Sequence, residues 1–384
     1  VELLGAEIPG RHGQAAGVHV PREPADGDDS VARTGLGARA LVPAPQTGAS
    51  ARTIQPLNMG DIVMIKMLVA CATLCASAAV WATPPGTVAD WAAKSAHAWA
   101  EPAHMMLLDA ARAGKRIVAV GEHGVVIISD DEGKTWRQAH EVPVSATLSA
   151  VTFTDAQHGW AVGQWGAILA TSDGGETWQK QRMDISVDQP LFSVLFSNAQ
   201  DGIAVGLWSL MLSTHDGGKT WTKVTVPKPP GSGKADRNLY HIFADRQGAL
   251  YVDSEQGMVL KSTDGGANWS YQATGGKGTL WTGVALPDGR IVVGGLLGSL
   301  YQSSDGGATW TALKSGTKSS ITDLVVAGNG LMGVGLDGLV FRQREGGMSF
   351  EVHQRDDRAT LTAALIDGAG TPMLFSQDGV LTSR

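Results

Sequence analysis

The chain has 384 residues, with 30 lysines and arginines against 37 aspartates and glutamates, and a formal net charge of −7. That balance argues against a general nucleic-acid binder, which needs a basic face, and no RNA-binding motif is present. Fifty glycines and few charges suit a turn-dense all-β chain, while the two cysteines, Cys71 and Cys75, lie together in one apolar stretch near the N-terminus. Any product cleaved after that stretch lacks disulfides, thiol nucleophiles and cysteine metal sites together.

Residues 1–63 mix Arg, Gly, Pro and Ala without periodicity and read as disordered chain or upstream translation, not as part of the native product. From Met64, a short basic start, an apolar run over 67–80 and the small residues of Val80-Trp81-Ala82 make 64–82 a secretory signal peptide. The expected product is therefore exported, to the periplasm in a bacterium. The apolar run falls short of the roughly 20 residues that a membrane span needs. Leu68-Val69-Ala70-Cys71 resembles a lipobox, the rival reading in which a lipid on Cys71 tethers the product. Residues 83–103 form a leader. Its Ala98-Trp99-Ala100-Glu101-Pro102 looks like the strand that follows each repeat motif described next, so it is expected to complete the last repeat; the alternative is a short amphipathic helix over 91–99.

From residue 104 to 384 the chain repeats. The octapeptide Ser/Thr-x-Asp-x-Gly-x-Thr-Trp recurs at residues 129–136, 171–178, 214–221, 262–269 and 303–310, with a worn copy at 343–350. The closing aromatics at 136, 178, 221, 269, 310 and 350 lie 42, 43, 48, 41 and 40 residues apart, the length of a four-stranded propeller blade. Between octapeptides run short β-rich segments punctuated by Gly, Asp and Asn, and no stretch keeps apolar residues at helical spacing. Units begin near His104, Leu148, Leu191, Leu239, Leu280, Ile321 and Leu361. The fold read from this is all-β: a seven-bladed β-propeller of four-stranded antiparallel blades. The seventh unit ends where its octapeptide would open. An unpaired blade edge is a liability, so the N-terminal strand is expected to fill it and close the ring.

Within the octapeptide the aspartate can accept backbone N–H groups, glycine supplies positive φ, and tryptophan folds under the hairpin as a plug. Asp131, Trp136, Asp173, Trp178, Asp216, Trp221, Asp264, Trp269, Asp305 and Trp310 are therefore structural. The pattern resembles the Asp-box (BNR) repeat. The longer unit, with Val-x-Phe-x-Asp-x-x-x-Gly-Trp-Ala-Val-Gly at 151–163 and Gly-x-Ile-Leu-x-Thr-x-Asp-Gly-Gly-x-Thr-Trp at 166–178, is similar to the Ycf48/Hcf136 family of photosystem II assembly factors. That resemblance covers residues 104–384. It implies an exported propeller that binds newly made reaction-centre protein without catalysis, on the lumenal side of the thylakoid if the organism is photosynthetic. It implies no cofactor and no metal, and a protein client such as a membrane protein or membrane-protein complex; the chain itself is expected to be a monomer. The family's arginine-rich client surface has no counterpart here, because the arginines are scattered.

Alternating strand directions put the octapeptides on one face of the ring, and the turns between second and third strands on the other. Those turns contain Glu122-His123, Gln164-Trp165, Leu207-Trp208, Glu255-Gln256, Leu296-Leu297, Leu336-Asp337 and Gln377-Asp378. Trp165 and Trp208 hold equivalent positions where polar residues are ordinarily found, so they are the leading candidates for partner contact, with Glu122, His123, Leu207 and Leu296 beside them. The competing reading makes both tryptophans plugs between blades. Arg237, with Lys228 and Lys234 in the longest connection, offers charge to an acidic partner or belongs to a solvated Pro/Gly loop. Asp boxes also occur in sialidases, so a glycoside hydrolase or a glycan-binding module is the alternative function. A sialidase-type site needs a tyrosine nucleophile beside an arginine cluster. None of Tyr240, Tyr251, Tyr271 and Tyr301 stands by such a set in the sequence.

Overall fold

A computed structural model describes residues 94–344 and 349–381. The expectations for residues 1–93, the signal peptide and Cys71 among them, lie outside the described residues. Seven antiparallel sheets succeed one another along the chain, six with four strands and the last with three. Their first strands are Leu107–Ala113, Leu148–Phe153, Leu191–Phe196, Leu239–Ala244, Leu280–Ala285, Ile321–Ala327 and Leu361–Ile366. The protein is a seven-bladed propeller, as the period required.

No blade has a core of its own. Each of seven apolar clusters is shared by two neighbours: Val118, Val120 and Ile128 of blade one pack on Val151, Leu169 and Trp178 of blade two, and so on around the ring. The seventh cluster joins the ends of the array, placing Leu107, Ile117 and Ile127 of blade one against Ala363 and Phe375 of blade seven. Thr362 Oγ1 donates to Leu107 O at 2.7 Å across the same seam.

The ring therefore closes by sheet packing, and the expected closing strand is corrected. Ala98–Pro102 is not a strand, and among the described residues the seventh sheet keeps three strands, Leu361–Ile366, Pro372–Ser376 and Gly379–Leu381. Two local facts divert the leader. Its amides and carbonyls are taken by blade one, Ala96 N donating to Val142 O at 2.9 Å and Trp99 N to Gln138 Oε1 at 2.9 Å, while Gln138 Nε2 donates to His97 O. Pro102 then opens a 3-10 turn over Pro102–His104, its ring fixing φ and removing a ladder donor.

The octapeptides fold as expected, with one partner the sequence reading missed. In each of the five well-formed copies the opening Ser/Thr hydroxyl accepts the glycine amide, as Gly133 N donates to Ser129 Oγ at 2.8 Å. The aspartate takes the amide and side chain of the penultimate residue, as with Thr135 on Asp131 at 2.9 and 2.7 Å. These donors hold Asp131, Asp216, Asp264 and Asp305 down to about 2. Four of the tryptophans donate Nε1 back to the box glycine carbonyl, at 2.8–3.1 Å. Trp221 instead reaches Gln181 Oε1 at 3.4 Å. Trp160, in the second strand of blade two, stacks on Phe196 and is buried.

One further repeat is legible only in three dimensions. Every first strand carries a bulge at its second residue, which is Leu108, Ser149, Phe192, Tyr240, Trp281, Thr322 or Thr362. Opposite the strand's first residue stands Gly121, Gly163, Gly206, Ser254, Gly295, Gly335 or Ser376. At the five glycines a Cβ would meet the carbonyl oxygen of the residue preceding the first strand at 1.9–2.2 Å. Ser254 satisfies the same carbonyl differently, its hydroxyl donating to Asn238 O at 2.8 Å.

Candidate partner-binding face

The turns between second and third strands share a backbone form that the sequence does not announce. In six blades the central residue is left-handed: His123 (φ 54°), Trp165 (55°), Trp208 (51°), Gln256 (58°), Leu297 (55°) and Asp337 (61°). The next residue also has positive φ, Ser209 in blade three and glycine in the other five, and the turn closes by a bond such as Ala167 N to Gln164 O at 3.1 Å. These are type I′ hairpin turns, whose twist matches that of the flanking strands and whose first central residue is ordinarily Asn, Asp or Gly. Only Asp337 follows that preference. A left-handed residue other than Gly, Asn or Asp costs about 1–2 kcal/mol, so Trp208 and Leu297 are held there against local preference.

These side chains do not recover that cost by burial. Trp208 is 57% exposed and Leu297 67% exposed. Ile185 and Val187, in the connection that leads from blade two to blade three, are also exposed, and that connection lies on the same face, since Asp184 N donates to Trp165 O and Gln189 Nε2 to Leu207 O. With Trp99, which lies 6.1 Å from the His123 ring, five of the seven exposed large hydrophobics among the described residues fall on this one face. Sequence reasoning found Trp208 and missed Ile185 and Val187, which sit in an unpatterned loop.

Beneath them is an apolar floor. The bulged Phe192, Tyr240 and Trp281 of blades three to five cluster with Leu207, and with half-buried Leu296 and Leu336. Phe192 and Tyr240 stack with centroids 5.7 Å apart. In blades two, six and seven the bulged residue is small and polar, and its hydroxyl bridges to the next blade, as Ser149 Oγ does to Leu191 O at 2.6 Å and Thr322 Oγ1 to Leu361 O at 2.8 Å. The aromatic floor is thus confined to blades three to five.

The remaining predicted residues take different stations. Trp165 is half-buried against the core shared by blades one and two, closer to a plug than Trp208 is. Leu207 is buried in the floor. Glu122 accepts Met106 N at 3.1 Å, and His123 points outward beside Trp99. Arg237 is half-buried with its Nε away from solvent, and its carbonyl accepts Ser209 N at 2.7 Å, tying the long connection onto the blade-three turn. Seven of the scattered arginines are matched to nearby acids, among them Arg112 with Glu132, Arg116 with Asp130, Arg182 with Asp184 and Arg358 with Asp337. Tyr251 is fully buried between blades four and five, where a nucleophile has no access to substrate.

Deeper in the ring, third residues of the first strands accept the amide of the following blade. Asp109 takes Val151 N at 2.9 Å, Ser193 takes Ile242 N at 3.3 Å, His241 Nδ1 takes Gly283 N at 3.2 Å, Thr282 takes Leu324 N at 3.1 Å, and Asp323 takes Ala364 N at 2.9 Å. Burial pushes Asp109 up to about 7, with Asp323 adding to the rise and the two amides it accepts opposing it. Among the described residues no three His, Cys, Asp or Glu side chains converge as a metal site.

Residues 137–301, from the last strand of blade one into blade five, match the family described as photosynthesis system II assembly factor YCF48. Over that stretch the repeat is similar to that of the YCF48 family. Solved structures with the same fold include YCF48 bound to D1 peptide, 19% identical over 75% of this chain and 94% of that one, with a TM-score of 0.59. YCF48 from Cyanidioschyzon merolae is 17% identical over 73% of this chain and 95% of its own, also at 0.59. A streptogramin B lyase is 12% identical over 72% of this chain and 93% of its own, at 0.61. No curated protein matches the chain in sequence.

Proposed function

We propose that this YCF48-like propeller is an exported, non-catalytic assembly factor that holds a protein client on the face opposite its Asp boxes. The carrying observation is the left-handed placement of Trp208 and Leu297: bulky apolar side chains kept exposed at turn apices, where Asn or Gly would be better tolerated. Aromatic and aliphatic anchors above an apolar floor are what a protein interface uses. The family match supports the assembly role, and in a photosynthetic organism the client is a photosystem II subunit of the D1 kind. The product acts in the periplasm or thylakoid lumen, as a monomer, on a membrane protein exposed to that compartment. The lyase shares the ring but only 12% of its residues, so it supports the fold and not an activity.

The test is capture of an identified client. The immobilised protein is exposed to a detergent extract of the organism's membranes, and bound proteins are identified by mass spectrometry. One membrane protein should be enriched by the native chain and lost with Trp208→Asn plus Leu297→Asn, a pair that the left-handed turns accommodate. Undiminished capture by this properly folded variant refutes the face assignment.

A further inference from the structure

We propose that the segment received by this face is acidic as well as apolar, and that Lys277, Lys314 and Lys318 read its charge. The inference rests on the client-binding reading above and adds the chemistry of what is bound. The connection carrying Lys277 is bonded onto the blade-four turn, Gly257 N donating to Gly278 O at 2.7 Å and Thr274 N to Gly257 O at 2.9 Å. The connection carrying Lys314 and Lys318 is bonded in the same way onto the blade-five turn, Ser315 Oγ donating to Gly298 O at 2.7 Å and Leu297 N to Ser320 Oγ at 3.0 Å. Both anchorages place the lysines around Leu297 and beside the floor of Phe192, Tyr240 and Trp281.

All three lysines are exposed, and among the described residues none has an ion-pair partner. The other sector of the same face is built oppositely. Its turns and connections carry Asp337, Asp356, Asp357, Asp378, Glu122, Asp184 and Asp188, three of them held by Arg358, Arg355 and Arg182. On this face the same blades carry two acids, Asp236 and Glu255, the latter taken up by Asn238 Nδ2 at 3.0 Å; the three lysines and Arg237 outnumber them, so on a chain of net charge −7 the sector with the exposed Leu297 and the aromatic floor is locally cationic. Such an arrangement orients and speeds the approach of an oppositely charged partner, and repels it from the wrong sector.

A recessed floor favours a peptide over a flat bilayer: Phe192, Tyr240 and Trp281 are each less than a tenth exposed, below the level of the Trp208 and Leu297 apices. A side chain projecting from an extended acidic segment can reach down to them, whereas lipid headgroups cannot.

Fluorescence anisotropy with a short synthetic peptide alternating Glu and Leu tests this, alongside versions with Lys for Glu and Ser for Leu. The Glu-Leu peptide should bind the native protein, weaken steeply between low salt and about 0.5 M salt, and lose about tenfold in affinity to Lys277→Glu plus Lys318→Glu. Equal binding of the Lys-Leu peptide, or indifference to the charge reversal, overturns the proposal. Co-sedimentation with vesicles containing anionic lipid, dependent on the same lysines and without peptide binding, also overturns it and makes the partner a membrane surface. If membrane-client capture survives the charge reversal but not Trp208→Asn plus Leu297→Asn, the face assignment stands and the acidic specificity falls.

Discussion

Gly163→Ala isolates the most repeated close approach in the ring. Gly163 faces Leu148 at the bulge of the first strand of blade two, and an added Cβ would lie 2.0 Å from Thr147 O and 2.9 Å from Leu148 Cα. Both obstacles are backbone, so no side chain can rotate away, and ordinary contact begins at 3.4 Å. Opening the gap breaks the bond from Gln164 N to Thr147 O, now 2.9 Å. One lost hydrogen bond at about 1 kcal/mol and overpacking at about 1–3 kcal/mol give about 2–4 kcal/mol. For a ring of this size that is a fall of roughly 3–7 °C in the thermal midpoint. Ser254→Ala, at the equivalent position of blade four, is the control. A Cβ is already housed there, so only the 2.8 Å bond to Asn238 O is lost, at about 1 kcal/mol. Thermal unfolding followed by far-UV circular dichroism measures both. If Gly163→Ala lowers the midpoint no more than Ser254→Ala does, the steric account of the glycine repeat is wrong.

Other outcomes follow from the same structure. Leu297→Asn should leave stability unchanged or raise it by about 0.5–1 kcal/mol, because Asn tolerates the left-handed turn better, while client capture falls; a stability loss above that range would make Leu297 a packing residue. Trp178→Ala, in the buried core of blades one and two, should cost about 3–5 kcal/mol in denaturant unfolding, against a change within about 0.5 kcal/mol for exposed Trp208→Ala. Asp109 is raised from 3.8 to about 7 by burial, so the folded state holds its proton more tightly than the unfolded chain. Its contribution is therefore complete below pH 4 and lost as pH rises through 7, and Asp109→Asn should flatten the midpoint-against-pH curve over that interval. The box aspartates act in the opposite sense: with carboxyls lowered from 3.8 to about 2, they stabilise above pH 4 and lose that contribution as pH falls through 2. Asp216→Asn should soften acid unfolding in that range.

What the sequence revealed, and what it hid, divides along a physical line. The Asp box was legible because its bonds are local: Ser129, Asp131, Gly133 and Trp136 find each other within eight residues, so the motif carries its own structure. Blade number followed from the period. Ring closure was misread because it depends on which distant edge the leader meets, and Gln138 captured it through side-chain bonds that no strand pattern encodes. The binding face was half legible. Tryptophan at a turn is conspicuous, but Leu297 looks like any core leucine, and Ile185 and Val187 like loop filler. What distinguishes them is exposure and a positive φ, which exist only after the hairpins fold.

That division has a consequence for how such a ring can vary. The exposed apex side chains at residues 123, 208, 256, 297 and 337 emerge from turns whose geometry is fixed by the residues around them, so changing one of them alters what the face presents with little effect on blade packing. The box tryptophans have no such freedom, since each closes a seam between two blades. Trp208→Arg should therefore leave the unfolding midpoint nearly where it is while changing which synthetic peptides bind, whereas Trp269→Arg should unfold the seam between blades three and four. If both variants lose stability equally, the apex is part of the packing and the face has no separable binding role.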